Sequence, residues 1–246
     1  MTESGLDSGN GGTILGFDTS TGELSVALAA RSTVLAERAV GPDDGGRPRH
    51  ASALLPAIEE VLAAGGGWDD VERIAVGVGP GTFTGLRIGV TTARALAQAR
   101  GLGLAGVSSL ATLAAGVDPA HPEASRPRLA VIDAKRGEAF TALYDSAGEE
   151  RWSAWVGPPT ELAERVAALD AAPLAVGDGS IRFRNQLAAA GAVVPADDDP
   201  AHRLRARHLC RLAEATQDDR DIEPNYLRRP DAELWRERDH GSSNSS

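Results

Sequence analysis

Two aspartates stand at matching places in a sequence motif that occurs twice. Asp18 lies in the run LGFDTSTGELSVAL and Asp133 in the run AVIDAKRGEAFTALY, so that Gly22 also aligns with Gly137. In each run a strand-like segment ends on the aspartate, and a tight turn leads into a second strand-like segment. Carboxylates placed in this way could hold a hydrated magnesium ion for phosphate chemistry. The alternative is that both aspartates only initiate turns.

The repetition itself has two explanations. Chance could produce it in an alanine-rich chain, whereas duplication would produce two similar lobes that each open with an aspartate-bearing hairpin. Duplication predicts that the two hairpins face each other across a cleft. The candidate remnants of a nucleotide or phosphate site in that cleft are Asp18, Thr19, Asp133 and Gly177.

A glycine-rich run, GVGPGTFTGLRIG, lies between a predicted strand and a predicted helix, where a phosphate-binding loop would lie. It matches neither phosphate fingerprint, because it has no lysine and lacks the third glycine of G-x-G-x-x-G. Small residues recur at every fourth position and share one helical face: Gly81, Gly85, Gly89, Ala93 and Ala97. Either the molecule's own sheet or another subunit could cover this face, and the spacing favours neither.

Residues that bind metals or act as nucleophiles form no recognisable pattern. The five histidines include no H-E-x-x-H motif and no pair at i and i+4, so His50 is interpreted as a surface or packing residue. The chain has no G-x-S-x-G motif, and the helical run around Cys210 gives no argument for an activated thiol. The sequence therefore predicts no metal site and no catalytic residue.

The elements that must position these residues can be read from periodicity and turn signals. From Thr13 the pattern predicts the order β-β-β-α-β-α-β-α, an antiparallel meander followed by parallel crossovers. Because Pro56 has no backbone N–H to donate within a helix, the first helix either begins near Leu55 or is kinked there. The predicted helices cover about 50–64 and 84–100, with further strands near 128–133, 138–144 and 174–177 and further helices near 160–170, 180–190 and 202–216.

This order is typical of ribonuclease-H-like domains. The predicted fold class is α/β, with two such lobes in the actin-like ATPase (ASKHA) arrangement and a smaller second lobe. The predicted organisation is a disordered tail at 1–12, a first lobe at 13–117, a second lobe at 118–200, a C-terminal helix and extended segment at 201–232 that could pack back on the first lobe, and a disordered tail at 233–246.

Composition excludes several classes of protein. The chain has 246 residues, of which 42% are apolar and 24% charged, as in soluble globular proteins rather than fibrous or disordered ones. Its formal net charge of −10 would repel polyphosphate, so we expect nucleic acid to be met only through a partner. The single cysteine and the lack of a signal peptide or a long apolar run predict a cytoplasmic protein without a membrane span.

Four runs carry a resemblance to a known family: ILGFDTSTGELSVAL, RPRHASALLPAIEEVL, VGVGPGTFTGLRIGVTTARALA and VIDAKRGEAFTALY. Together they resemble the TsaB family of bacterial tRNA threonylcarbamoyladenosine biosynthesis proteins, from about Thr13 to about Ala232. The resemblance implies an actin-like, two-lobe protein that helps to attach a threonylcarbamoyl group to N6 of adenosine 37 in tRNAs that read ANN codons. It also implies a non-catalytic subunit without a cofactor, whose paralogue TsaD is the catalytic partner.

TsaD carries an H-x-x-x-H metal motif on the helix that corresponds to the one beginning here at His50. Leu54 stands at the place of the second histidine and cannot bind a metal, so the metal site is lost.

The resemblance implies that the helices near 50–64 and 84–100 contact TsaD in a pseudo-symmetric heterodimer. The ATPase TsaE joins this pair, and tRNA is reached only through the complex. In isolation the chain could be a monomer or could form a homodimer through the same face, and the sequence does not decide between them. This implication places the small-residue face at the interface, with seven candidate residues: Leu54, Leu55, Ile58, Gly85, Ile88, Gly89 and Thr92.

Two other functions remain as alternatives. The chain could be a stand-alone actin-like ATPase that uses Asp18 and Asp133 around magnesium. It could also be a peptidase, although the sequence offers neither a metal pair nor an activated nucleophile.

Overall fold

The computed structural model describes residues 12–31 and 33–228. The predicted tails at 1–12 and 233–246 therefore lie outside the described residues, apart from Gly12. No helix within the described ranges is long and apolar enough to cross a membrane.

The first lobe is built on a five-stranded sheet. Its elements are β1 (Thr13–Asp18), β2 (Leu24–Ala30), β3 (Thr33–Val40), α1 (His50–Gly65), β4 (Val71–Gly79), α2 (Phe83–Arg100), β5 (Gly103–Ser108) and α3 (Ser109–Ala114). The strand order is β3-β2-β1-β4-β5; β1, β2 and β3 are antiparallel, and β4 and β5 run parallel to β1. The predicted order of strands and helices in this lobe is confirmed. Helix α1 begins at His50 and continues through Pro56, so a start near Leu55 is wrong.

The second lobe is built on a four-stranded sheet. Its elements are β6 (Arg128–Asp133), β7 (Ala139–Tyr144), β8 (Glu150–Gly157), α4 (Pro159–Ala167), β9 (Leu174–Val176), α5 (Asp178–Arg182) and α6 (Arg184–Ala189); a 3₁₀ turn (Pro200–His202) and α7 (Ala206–Ala213) follow. Strand β8 was not predicted from the sequence. Its run ERWSAWVG opens with two charged residues and is mostly half-exposed, and pairing with β7 establishes it as a strand.

The two lobes share one topology. The order β8-β7-β6-β9 repeats the order β3-β2-β1-β4, with the same antiparallel pairs and the same parallel pair. Asp18 and Asp133 each end the central strand of their sheet, as the repeated motif predicted. The shared topology favours duplication over chance, and the fold is the two-lobed actin-like ATPase fold with the smaller lobe second.

Helices cover both faces of the first sheet. On one face, α1 and α2 enclose an apolar core with the inward side chains of β1 and β2, including Leu15 and Phe17. On the other face, α7 packs on β1 and β2, where Leu209 and Cys210 are buried against small residues of the strands. The chain therefore returns to the first lobe after completing the second.

Candidate functional site

Asp18 is completely buried, and its carboxylate is fully engaged within the first lobe. Oδ1 accepts the amide of Ser20 at 2.7 Å, and Oδ2 accepts the hydroxyl of Ser109 at 2.7 Å. Gly77 of β4 lies against the same carboxylate so closely that a methyl group at that position would overlap Oδ2. This carboxylate is thus a packing and turn-forming group that closes the end of β1.

Asp133 makes the same turn and is also paired with two cations. Oδ1 accepts the amide of Lys135 at 2.9 Å, the counterpart of the Asp18–Ser20 bond. Oδ2 lies 2.8 Å from Lys135 Nζ and 3.1 Å from Arg182 Nη1. Burial by itself would raise the pKa of Asp133, but the hydrogen bonds from Lys135 and the charges of Lys135 and Arg182 hold that pKa below its ordinary value.

The geometry of both aspartates therefore matches the turn interpretation. Within residues 12–31 and 33–228 no three histidine, cysteine or acidic side chains come together in a way that could hold a metal ion. Cys210 is a buried free thiol whose pKa burial raises to about 12, which fits a structural role rather than an activated nucleophile.

Thr19 and Gly177 serve the packing of their own lobes. Thr19 Oγ1 donates to the carbonyl oxygen of Gly85 at 2.7 Å and so ties the turn after β1 to α2. Gly177 has φ of 106°, and its amide donates to His202 Nδ1 at 3.2 Å. Its lack of a side chain is required, since a Cβ would overlap the carbonyl oxygen of Val131.

The structure does not bring the four predicted cleft residues to one surface. A cavity of about 240 Å³ between the lobes is lined by Gly177 and by the turn at Thr21, Gly22 and Glu23. Asp133 faces a different cavity, and Asp18 and Thr19 line neither of the two. Aspartates related by duplication thus occupy equivalent positions without forming one shared site.

The small-residue face of α2 is covered by the molecule itself. A Cβ at Gly81 would overlap Ser20, one at Gly85 would overlap the carbonyl oxygen of Thr19, and one at Gly89 would overlap its Oγ1. These glycines let α2 approach the turn after β1 closely enough for backbone contact. Of the two explanations that the spacing left open, the structure supports the molecule's own core.

This burial changes which of the seven interface candidates can contact a partner. The side chains of Leu54 and Ile58 point into the lobe, where each is 2% exposed, and Gly85 and Gly89 are buried by the contacts just described. These four predicted interface residues therefore offer a partner little surface, because the apolar and small faces of α1 and α2 are the faces that form the core. Leu55 is 56% exposed, and the partly exposed Ile88 and Thr92 lie on α2.

His50 is a packing residue, in agreement with the sequence interpretation. It is buried, and its Nε2 donates to the carbonyl oxygen of Thr21 at 2.8 Å. Burial lowers the pKa of the ring, so the neutral form is favoured. Leu54, one turn further along α1, is packed in the core and presents no ligand atom beside it.

A second cavity, of about 230 Å³, was not foreseen from the sequence. It lies between the loop that enters α2 and the β6–β7 hairpin, and its lining includes Phe83, Lys135, Tyr226 and Arg228. Three segments far apart in the chain contribute to it, so no local motif could have revealed it.

Comparison with known protein families relates this chain to proteins of tRNA threonylcarbamoyladenosine biosynthesis. The family model TsaD, described as tRNA N6-adenosine threonylcarbamoyltransferase, matches residues 36–178. The TsaB protein of Escherichia coli is 34% identical over 174 residues, which cover 68% of this chain and 71% of that protein. The TsaB protein of Bacillus subtilis is 37% identical over 133 residues, 54% of this chain and 55% of its own length. An uncharacterized protein of Mycobacterium tuberculosis is 31% identical over 89% of this chain and 93% of that protein.

Solved structures extend the same relationship to the fold. A Pseudomonas aeruginosa protein described as similar to peptidase YeaZ superposes with a TM-score of 0.71 and 30% identity, and covers 88% of this chain and 100% of that one. A second structure, YeaZ from the same organism, gives a TM-score of 0.68 and 28% identity over the same shares. The motifs, the two-lobed topology and these relatives agree, and the chain belongs to the TsaB family of tRNA threonylcarbamoyladenosine biosynthesis proteins.

Proposed function

We propose that this chain is a non-catalytic subunit that binds and activates TsaD for threonylcarbamoylation of adenosine 37 in tRNA. One observation carries the proposal: the side chain four residues after His50 is Leu54, which is 2% exposed and packed in the first core. An apolar core residue replaces the ligand that the H-x-x-x-H motif would require, so the transfer chemistry must come from the partner.

The partner surface is the exposed side of α1 and α2, with Leu55 on α1 and Ile88 and Thr92 on α2 as its contact residues. An exposed leucine on a helix of low charge suits the apolar centre of a protein interface. The TsaD family model spans both helices, which supports a shared lobe in the two proteins. Two chains with the same lobe can pair through equivalent helices about a pseudo-twofold axis. The same surface would form a homodimer when TsaD is absent.

TsaE joins this pair as the ATPase, and tRNA is engaged by the assembled complex in the cytoplasm. The stand-alone ATPase alternative loses support because both of its proposed magnesium ligands are engaged elsewhere. Asp18 is held by Ser20 and Ser109, and Asp133 by Lys135 and Arg182. No arrangement in the described residues favours a peptidase.

The test is light scattering coupled to size-exclusion chromatography of this chain, of TsaD from the same organism, and of their mixture. We expect one mixed peak at the summed mass, with loss of any homodimer peak. Two unchanged peaks at micromolar concentrations of both proteins would refute the partnership. ATP turnover by this chain alone, abolished by Asp18→Asn, would instead support the ATPase.

A further inference from the structure

Two neighbouring grooves share the side chain of Tyr226. The first is the cavity of about 230 Å³ between the loop entering α2 and the β6–β7 hairpin, which Phe83, Lys135 and Arg228 also line. The second, of about 410 Å³, follows the outer side of α2 past Arg87 and Arg94. Tyr226 lines both cavities, and the two together are called here the aromatic groove.

The charge of the aromatic groove is opposite to that of the whole chain. Its lining includes four cationic side chains besides that of Arg136: Arg87, Arg94, Lys135 and Arg228. Among the described residues, acids that interact with these cations or with Tyr226 include Asp133, paired with Lys135; Glu138, paired with Arg228; and Glu223, whose charge acts on Tyr226. The cations outnumber these acids, although the chain carries a net charge of −10. A local excess of positive charge attracts polyanions irrespective of overall charge.

Two exposed aromatic rings lie at the centre of this positive region. Phe83 is 38% exposed and Tyr226 is 39% exposed, and their ring centroids are 5.0 Å apart with an interplanar angle of 35°. The Arg87 guanidinium lies 5.3 Å from the Phe83 centroid. Exposed aromatic rings flanked by cations on both sides are the arrangement that stacks nucleic-acid bases while holding their phosphates.

We propose that the aromatic groove binds single-stranded RNA, with bases stacked on Phe83 and Tyr226 and phosphates near Lys135 and Arg87. This inference rests on the proposed function, since it names the surface through which the chain itself contacts tRNA within the complex. A strand fits better than a free nucleotide because cations line both of the cavities that Tyr226 shares. It also revises the expectation, drawn from net charge, that tRNA is met only through partners.

The experiment measures fluorescence anisotropy of a labelled single-stranded RNA of about twelve nucleotides, within the site sizes typical of such proteins. It is run on the full chain alone and on its mixture with TsaD. Tyr226→Ala should weaken binding at least about fivefold, whereas Tyr226→Phe, which keeps the stacking face, should stay within about twofold. Circular dichroism and urea midpoints check that each variant is folded.

Salt dependence provides a second readout that a folding defect would not imitate. Removing two phosphate contacts with Lys135→Asn and Arg87→Ala should reduce the slope of log K against log salt by about 1.4, since each contact to a single strand contributes about 0.7. Asparagine is chosen because residue 135 has a left-handed backbone, with φ of 61°. The matched control, Arg38→Ala with Arg151→Ala, removes two exposed, ion-paired cations elsewhere and should leave binding unchanged.

Three results would overturn the proposal. The first is that the chain does not bind RNA at low salt. The second is that Tyr226→Ala binds RNA as tightly as the unmodified chain. The third is that the chain binds ATP or ADP, weakened by the same substitutions, but does not bind RNA. The last result would assign the groove to a free nucleotide. Co-elution with TsaD but no RNA binding would refute this inference alone, and RNA binding without co-elution would refute the partnership instead.

Discussion

At the scale of single residues, Asp18 and Asp133 perform the same structural task in two lobes. Each accepts the amide two residues further on, at 2.7 Å and 2.9 Å, and so turns the chain from the first strand into the second. Their surroundings differ, because Asp18 is enclosed by Gly77 and Ser109 whereas Asp133 faces cations. A sequence can show that two aspartates are equivalent, but Ser109 beside Asp18 and Arg182 beside Asp133 come from distant segments.

The glycines of α2 give a prediction at this scale. Gly85→Ala should lower the free energy of unfolding by about 1–3 kcal/mol, because its Cβ would overlap the carbonyl oxygen of Thr19, which belongs to the backbone and cannot rotate away. This expected loss is net of the gain in helix propensity from glycine to alanine, which is about 1 kcal/mol. Urea unfolding followed by circular dichroism measures the difference.

The matched control is Gly22→Ala, since no atom lies within 4 Å of the added Cβ. Its stability should be unchanged or slightly raised. Equal stability of Gly85→Ala and the unmodified chain would contradict the close approach of α2 to the turn. The same reasoning shows that a bulky residue at Gly89 would disturb the core, so it cannot serve as an interface test.

At the scale of elements, the packing of α7 on β1 joins the end of the described chain to its beginning. Gly16 of β1 faces Cys210 of α7, whose Sγ lies 3.7 Å from the carbonyl oxygen of Ile14. The glycine in the strand makes room for the sulfur atom. Periodicity predicted both elements, but it could not state that one covers the other, because they are separated by almost the whole sequence.

A double-mutant cycle tests this contact. Gly16→Ala should be destabilising because the new Cβ overlaps the Cys210 sulfur, and Cys210→Ala in the same chain should recover part of the loss. We expect a coupling of at least about 1 kcal/mol, in the range found for residues in direct contact. The measurement is urea denaturation of both single variants and the double variant.

The control cycle replaces Gly16→Ala with Gly41→Ala, whose Cβ would have no neighbour within 4 Å. The changes in the free energy of unfolding caused by Gly41→Ala and by Cys210→Ala should add without coupling. If the unfolding free-energy changes of Gly16→Ala and Cys210→Ala were additive in the double variant, α7 would not pack on β1 in solution.

At the scale of the whole molecule, the exposed side of α1 and α2 is the surface proposed above for both a homodimer and the TsaD heterodimer. Leu55→Arg should weaken heterodimer formation at least about tenfold, because a charge would replace an apolar side chain at the centre of the contact. The protein should still fold, since Leu55 is 56% exposed. Analytical ultracentrifugation at several concentrations measures both association constants.

Leu35→Arg is the matched control, because Leu35 is an exposed leucine on the edge strand β3. It should leave both association constants within about twofold. If Leu35→Arg weakens the complex and Leu55→Arg does not, the partner surface lies along the sheet edge instead of the helices.

The sequence by itself determined the repeated hairpins, the order of elements in the first lobe and the family. These features are local: strands and helices follow from periodicity and turn residues, and the repeated motif places the same aspartate at the end of both central strands. The sequence did not predict β8, because the alternation of apolar and polar residues is weak in this half-exposed segment. Only its pairing with β7 defines it as a strand.

Only the tertiary structure decided which faces are inside. An apolar or small-residue helical face looks the same in a sequence whether a sheet or another subunit covers it, and here Thr19 and Ser20 cover the glycines of α2. The structure also assembled the aromatic groove, since Phe83, Lys135 and Tyr226 come from three separate segments. Burial and long-range proximity are properties of the folded chain, so they had to be observed in it.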